Sequence, residues 1–365
     1  MSSTQLLRPR LKQAFADLIA DRIGLTLRKN DQTNFQDFIS NRLSVIGFDV
    51  PEKYYLLLNE NTARSYHEWE LLILAITNTE SFFFRDQGQF NLLKNYILPT
   101  LIEQKSRKKS LRICSAGCST GEEPYSLAIL LTELIPDLKA WDLKILGIDI
   151  NSTAIEKARA GLYRPWSFRG VDRAVQSHFF SLTDNDYQIN DAIQKMVDFK
   201  VVNLIDSSFL DPTLNLKDMD LILCRNVFIY FSDSAIEKTL NKFYDALCPL
   251  GYLLVGHAEL HNQRSNKLHT KIFNESIAYQ RPADNTTQTI SEFIPTQMPP
   301  PPKKITENSE NQDLDALFKG SDIKMKQVAL NLLRQLPNDS RIAKLGNRKA
   351  SELILQLENN LKEIG

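Results

Sequence analysis

The chain has 365 residues, 42% of them hydrophobic, with 44 basic and 44 acidic side chains and a net charge of zero at pH 7. That length buries a sizeable core and accommodates one large domain with appendages, while the balanced charge gives no reason to expect nucleic acid or a lipid surface as the main partner. The opening MSSTQLLRPRLK lacks a continuous apolar core and no apolar run of about eighteen residues follows, so the expectation is a cytoplasmic protein without direct membrane insertion.

Residues 1–76 read as a helical domain: Leu11, Phe15, Leu18, Ile19 and Ile23, then Phe35, Phe38, Ile39 and Leu43, recur at helical spacing, with Gly24, Gly47 and Pro51 as punctuation. Residues 77–282 change texture. LRICSAG, DLKILGIDI, VDFKVVNLI, MDLILCRNV and GYLLVGHA read as strands buried on both faces, and helical patterns separate most of them. The expected fold class is α/β, a mostly parallel sheet covered by helices. The interval from Tyr163 to Met196 fits that rhythm less well, which points to an insertion over about 178–200. Residues 283–312, with Pro295 and MPPPPKK, read as an extended linker. Residues 313–365 regain helical periodicity through Leu314, Leu317, Val328, Leu332, Leu353, Ile354 and Leu357, as a helical appendage or a marginally ordered tail. The four cysteines, Cys114, Cys118, Cys224 and Cys248, have no CxxC spacing and read as buried thiols.

The chemistry concentrates in LRICSAGCSTGEEPY, residues 111–125, where an apolar strand breaks into small residues and opens a helix with acidic side chains. Ala116, Gly117, Ser119 and Gly121 form a turn that lets the backbone approach a ligand beyond the strand end. A dinucleotide loop would leave the helix start free for a pyrophosphate. Glu122 and Glu123 stand there instead, and would repel a phosphate while suiting a cationic ligand such as S-adenosylmethionine; equally, they complement the helix dipole. The next strand breaks the tie. Asp149 ends it about thirty residues on, where a carboxylate accepts from both ribose hydroxyls. Asn203 closes the following strand and can read the adenine, and Arg225 with Asn226 closes another, so polar residues at four strand ends form one ligand-facing row.

These segments, with TNTESFFFRD before the sheet, GIDINSTAIEKARAGLY, VNLID, CRNVFIYF and GYLLVGHAE, together resemble the chemotaxis receptor methyltransferases, the CheR family, over most of residues 11–281. The resemblance implies a helical N-terminal domain, a Rossmann-like catalytic domain with a small antiparallel β insertion, and S-adenosyl-L-methionine as cofactor with S-adenosyl-L-homocysteine as product. It implies a protein-glutamate O-methyltransferase that esterifies glutamates on the cytoplasmic domain of methyl-accepting chemotaxis or phototaxis receptors. Carried over by position, it implies cofactor contacts at Thr79, Ser81, Arg85, Glu123, Asp149, Asn203, Leu204, Arg225 and Asn226, with Glu123 holding the methionine ammonium. The family commonly has Asn where Thr79 stands, and this chain has Asn78 one residue earlier.

Methyl transfer to a carboxylate already ionised at neutral pH needs no strong base, only in-line positioning. Arg85 and Tyr230 are the candidate catalytic residues, Arg85 to bind the acceptor carboxylate and Tyr230 to orient an oxygen. Their plain alternatives are an ion pair with Asp86 or Glu80 for Arg85 and core packing for Tyr230. The run Phe82, Phe83 and Phe84 reads equally as core filling. The family's first domain offers a basic helix to the receptor; here RKNDQTNFQDFISNRLSVIG keeps Arg28, Lys29 and Arg42 but interposes Asp31 and Asp37, so steering should weaken or the partner differ. The compact insertion carries the expectation that no receptor-tail peptide tether is used. A methyltransferase for another carboxylate, or a cofactor-binding regulatory module, would share the cofactor site.

Overall fold

The computed structural model describes residues 7–28, 32–209, 211–257, 259–260, 267–274 and 276–283, and near the C-terminus residues 341–342, 348–349, 351–352 and 354–355. The chain divides into two compact units, Met1–Glu292 and Phe293–Gly365, so the second begins within the stretch read as a linker.

Four helices open the first unit: α1 (Pro9–Ile23), α2 (Gln32–Ile46), α3 (Pro51–Leu58) and α4 (Ala63–Ile76). Proline begins α1 and α3, where its missing N–H costs nothing. Thr62 caps α4 by accepting from Ser65 N at 3.2 Å. The helical spacing becomes a core of Phe15, Ile19, Ile23, Phe35, Ile39, Tyr54, Leu58, Trp69 and Leu72. Within it Glu68, 2% exposed, accepts two bonds from the Arg42 guanidinium at 2.9 and 2.6 Å and one from the Tyr54 hydroxyl at 3.1 Å. Burial alone would raise the Glu68 carboxyl; the Arg42 fork and the Tyr54 hydroxyl more than offset it and hold it below its ordinary value. Arg42, counted in the sequence among receptor-facing cations, is therefore committed to the interior. Lys29 and Asp31 lie outside the described residues.

A helix follows that passes from α5 (Gln87–Leu92) through a π-helical turn, Leu93–Ile97, into α6 (Leu98–Lys105). The central sheet then forms from β1 (Ser110–Ala116), α7 (Glu122–Leu134), β2 (Asp142–Asp149) and α8 (Ser152–Ala160). After β3 (Leu162–Tyr163), α9 (Arg173–Phe179), β4 (Phe180–Thr183), β5 (Asp186–Ile189) and α10 (Asp191–Gln194), it resumes with β6 (Val197–Val201), β7 (Met219–Cys224), α11 (Asp233–Ala246) and β8 (Leu247–Val255), and ends with β9 (His269–Ile272) and β10 (Ile277–Gln280). Its order is β6-β2-β1-β7-β8-β10-β9, parallel from β6 to β8 and antiparallel at the β10 and β9 edge. Each of the five strand segments expected from sequence contributes a strand. Alternation sends Ile113, Leu221 and Leu223 into one core and Cys114, Ile222 and Cys224 into the other. The hairpin β9–β10 carried no sequence signal because all four residues of β9 are exposed.

The small antiparallel sheet has the order β3-β5-β4. It spans Leu162–Ile189 rather than 178–200, since Val197–Val201 pairs with β2 in the main sheet. The break in rhythm from Tyr163 falls in β3, but a two-residue strand shows no alternation by which to place the sheet's start there. Phe83 anchors this sheet through the rings of Tyr163, Phe168 and Phe180, 4.8 to 5.0 Å away.

In the second unit Arg341–Ile342 pairs antiparallel with Arg348–Lys349, a strand pairing where helical periodicity had been read. The apolar positions from Leu314 to Leu333, with Leu353 and Leu357, lie outside the described residues, as does the proline-rich run. No helix among the described residues is long and apolar enough to cross a membrane.

Candidate active site

Strand order reverses between β1 and β7, and at such a switch point the carboxyl ends of parallel strands leave a crevice. The loop after β1 turns there through residues in the left-handed region, Gly117 at φ 74°, Ser119 at φ 50° and Gly121 at φ 92°. Gly117 is dictated twice over: besides its φ, a Cβ would stand 2.3 Å from Val227 Cγ2. The amides of Gly117 and Cys118 both donate to Ile148 O, at 2.7 and 3.0 Å, stitching the loop to the end of β2.

Asp149, the last residue of β2, accepts from Ser119 N at 2.8 Å through one carboxylate oxygen and from Asn151 N at 2.9 Å through the other. Burial raises its carboxyl above the ordinary value, with the Asn151 and Ser119 amides opposing. Each oxygen keeps acceptor capacity beyond its one amide.

The two glutamates at the start of α7 part company. Glu123 lines the crevice, accepting from Ser115 Oγ at 2.7 Å and from Arg225 Nη1 at 3.0 Å. Glu122 turns the other way, 2% exposed, and accepts from Thr120 Oγ1 at 2.6 Å and Ser167 Oγ at 3.1 Å. Burial raises the Glu122 carboxyl, against the opposing hydrogen bonds from the Thr120, Ser167 and Ser81 hydroxyls. Of the two, Glu123 is the one that lines the crevice.

Arg225, 6% exposed at the end of β7, also donates to Arg85 O and lies 4.0 Å from Asp86, which His257 contacts at 2.8 Å. Its Nε is buried and bonds nothing among the described residues. Asn226 follows in the left-handed region at φ 59°; its amide and that of Gly256 donate to Glu259 Oε2 at 3.1 and 2.6 Å. Asn203 lines the crevice with both ends of its amide engaged, donating to Arg22 O at 2.8 Å and accepting from Ile205 N at 3.0 Å. The Lys242 ammonium pins the following loop through the carbonyls of Leu204, Ile205 and Ser207, at 3.1, 2.5 and 2.9 Å.

The crevice is walled by the segment leaving α1, the stretch from Ile76 to Arg85, the loop after β1 and the ends of β2, β6 and β7. Of the expected residues, Ser81, Arg85, Glu123, Asp149, Asn203, Leu204, Arg225, Asn226 and Tyr230 line it together. Thr79 does not: its carbonyl accepts from Ser119 Oγ at 2.9 Å, and Asn78 stands at the wall instead. Arg85 stacks at 5.6 Å over Phe82, which also lines the crevice, while Phe83 is core and Phe84 packs on Phe90. Neither carboxylate proposed as an ion-pair partner holds Arg85; its Nη1 donates to Glu80 O at 3.4 Å. Sequence reasoning gave no role to Glu259, although it closes the motif GYLLVGHAE, and noted Asn78 in TNTESFFFRD only as a neighbour of Thr79; nothing local signalled that the segment leaving α1 reaches the site.

Comparison with known proteins agrees with this geometry. The family described as CheR methyltransferase, SAM binding domain, matches residues 79–276. A chemotaxis protein methyltransferase of Borreliella burgdorferi is 33% identical over 246 residues, 66% of this chain and 85% of that protein. Chemotaxis protein methyltransferase 2 of Vibrio cholerae is 29% identical over 278 residues, covering 71% and 95% respectively, and the Salmonella typhimurium protein is 31% identical over 248, covering 66% and 81%.

The residues present fit S-adenosylmethionine on their own chemistry. Asp149 offers acceptors for paired hydroxyls, and Ile150, Val202 and Leu204 give an apolar wall for a base. Glu123 and the unpartnered Nε of Arg225 offer opposite charges to an amino acid group. With a family match across most of the α/β region and a crevice of this composition at its switch point, the chain belongs to the CheR methyltransferase family and takes S-adenosylmethionine as its cofactor.

Proposed function

We propose that the protein transfers a methyl group to glutamate γ-carboxylates on the cytoplasmic domain of chemotaxis receptors, forming methyl esters in sensory adaptation. One observation carries the reading. The crevice that holds Glu123 and Asp149 also presents a guanidinium and a phenol, Arg85 and Tyr230, which are donors suited to an anionic acceptor. When bound, S-adenosylmethionine supplies an electrophilic methyl on a sulfonium. The remaining work falls to the chain. Asp149 and Glu123 hold the nucleoside and amino acid ends, with Arg225 neutralising Glu123 and the Ser119 and Asn151 amides fixing Asp149. Arg85 pairs with the incoming carboxylate, and the Tyr230 hydroxyl, which accepts from Asn78 Nδ2 at 3.4 Å, retains its proton to orient one carboxylate oxygen. A glutamate with a pKa near its reference value of about 4.3 arrives ionised, so no proton need be removed before attack.

The experiment is incubation with methyl-labelled cofactor and cytoplasmic receptor fragments, followed by alkaline treatment and peptide mass spectrometry. Base-labile label on glutamate is expected; base-stable label, or none, overturns the assignment. The hairpin from β4 to β5 closes tightly, with Thr183 opposite Asp186 and Asp184 at φ 55°, which supports engagement without a receptor-tail tether. Micromolar binding of the isolated tail peptide would refute that part.

A further inference from the structure

Tyr230 belongs to the strand-to-helix turn after β7, yet most of its groups are held from elsewhere. The segment leaving α1 runs antiparallel beside that turn, with Leu25 bridged to Phe231 and Ser232 N donating to Gly24 O at 3.0 Å. Thr26 donates to Tyr230 O twice, from its amide at 2.8 Å and its hydroxyl at 3.0 Å. The Arg28 guanidinium lies over the Tyr230 ring, 4.7 Å from its centroid, and donates to Ile229 O. Asn78, just beyond α4, meets the hydroxyl. Carbonyl, ring and hydroxyl of this tyrosine are thus all gripped by the helical region, across more than 150 residues of sequence.

We infer that Arg28 is a positioning residue for methyl transfer, fixing the Tyr230 ring so that its hydroxyl meets the acceptor carboxylate. The inference rests on the acceptor-side role of Tyr230 proposed above. A phenol left to rotate spends part of its time out of line, and in-line displacement is sensitive to displacements of an ångström or less. The cation–aromatic contact and the bond to the Ile229 carbonyl tie one guanidinium to both the ring and the adjacent backbone, which limits rotation of the ring. The helical region thereby supplies part of the active site as well as any receptor contact.

The test is a double-mutant cycle on the full chain, with labelled cofactor and a recombinant cytoplasmic receptor fragment. Arg28→Ala should lower kcat about five- to tenfold, the size of one cation–aromatic contact, with cofactor Kd and receptor-fragment KM unchanged. Arg28→Lys, which keeps the cation, should recover part of the loss, whereas Arg28→Met should not. In a Tyr230→Phe background Arg28→Ala should add little, because the hydroxyl it aligns is gone. Full additivity in kcat, or a loss confined to a salt-dependent KM, would overturn the positioning role. If Tyr230→Phe alone keeps wild-type kcat, the acceptor-side reading fails instead, so the two failures are distinguishable.

Discussion

Asp149→Ala isolates one cofactor contact. The wild-type carboxylate sits at the end of β2 with each oxygen taking a single backbone amide, Ser119 N at 2.8 Å and Asn151 N at 2.9 Å. Each oxygen keeps a further acceptor position, and the proposed assignment gives these to the ribose hydroxyls. A hydrogen bond to a charged group contributes about 1.5–3 kcal/mol, so two are worth roughly 3–6 kcal/mol. Water returns to the hydroxyls in an open crevice, which favours the lower end, and about 3 kcal/mol corresponds to a Kd weakened roughly 100-fold or more. Isothermal titration with S-adenosylmethionine and S-adenosylhomocysteine reads this directly, and circular dichroism checks that the variant is folded. Burial raises the Asp149 carboxyl, so wild-type affinity should decline on acidification from above the ordinary carboxylate range, and the Ala variant should lack that component. A folded Ala variant binding either ligand within about threefold of wild type would refute the ribose assignment.

Three other outcomes follow from the same geometry. Arg225→Ala strips the counterion from Glu123 and from the Asp86 neighbourhood inside a mostly buried network, and should cost about 3–5 kcal/mol in urea unfolding as well as cofactor binding; a loss under about 1 kcal/mol would contradict the packing described. Gly117→Ala should weaken cofactor binding and lower the melting temperature through left-handed strain, a cost of about 1–3 kcal/mol, and through the clash with Val227 Cγ2. Adding Val227→Ala should recover the clash but not the strain, and full recovery would refute the backbone argument. Glu122 has a folded pKa raised by burial, so its contribution to stability is most favourable at low pH and is lost as pH rises through that value. Glu122→Gln should therefore be more resistant to denaturant than wild type near about pH 8, with the advantage vanishing toward about pH 4; a gap that widens on acidification would show the sign to be wrong.

Much of this molecule is legible in local pattern. Apolar runs bounded by turns marked β1, β2, β6, β7 and β8 because a strand buried on both faces must be apolar along its length. Polar residues at the ends of those runs marked the crevice, since Asp149 or Arg225 closing an apolar strand requires partners. Where signal was weak, the reason is physical. The two-residue β3 and the wholly exposed β9 bury too little to show periodicity. Glu122 and Glu123 are adjacent, and no sequence rule says which one turns toward the ligand; the hydroxyls of Thr120 and Ser167 take Glu122, and Ser115 with Arg225 takes Glu123. Arg42 looked like a surface cation until Glu68 and Tyr54, 26 and 12 residues away, were seen to enclose its head group.

Sequence alone determined the fold class, the cofactor loop and the row of strand ends, because backbone sterics, helix polarity and strand burial act over a few residues. Tertiary structure decided which carboxylate faces the crevice, that Asn78 rather than Thr79 lines it, and that the segment from Gly24 to Arg28 holds Tyr230. Those are contacts between residues up to about two hundred positions apart, and only the folded chain brings their donors, rings and charges within bonding distance.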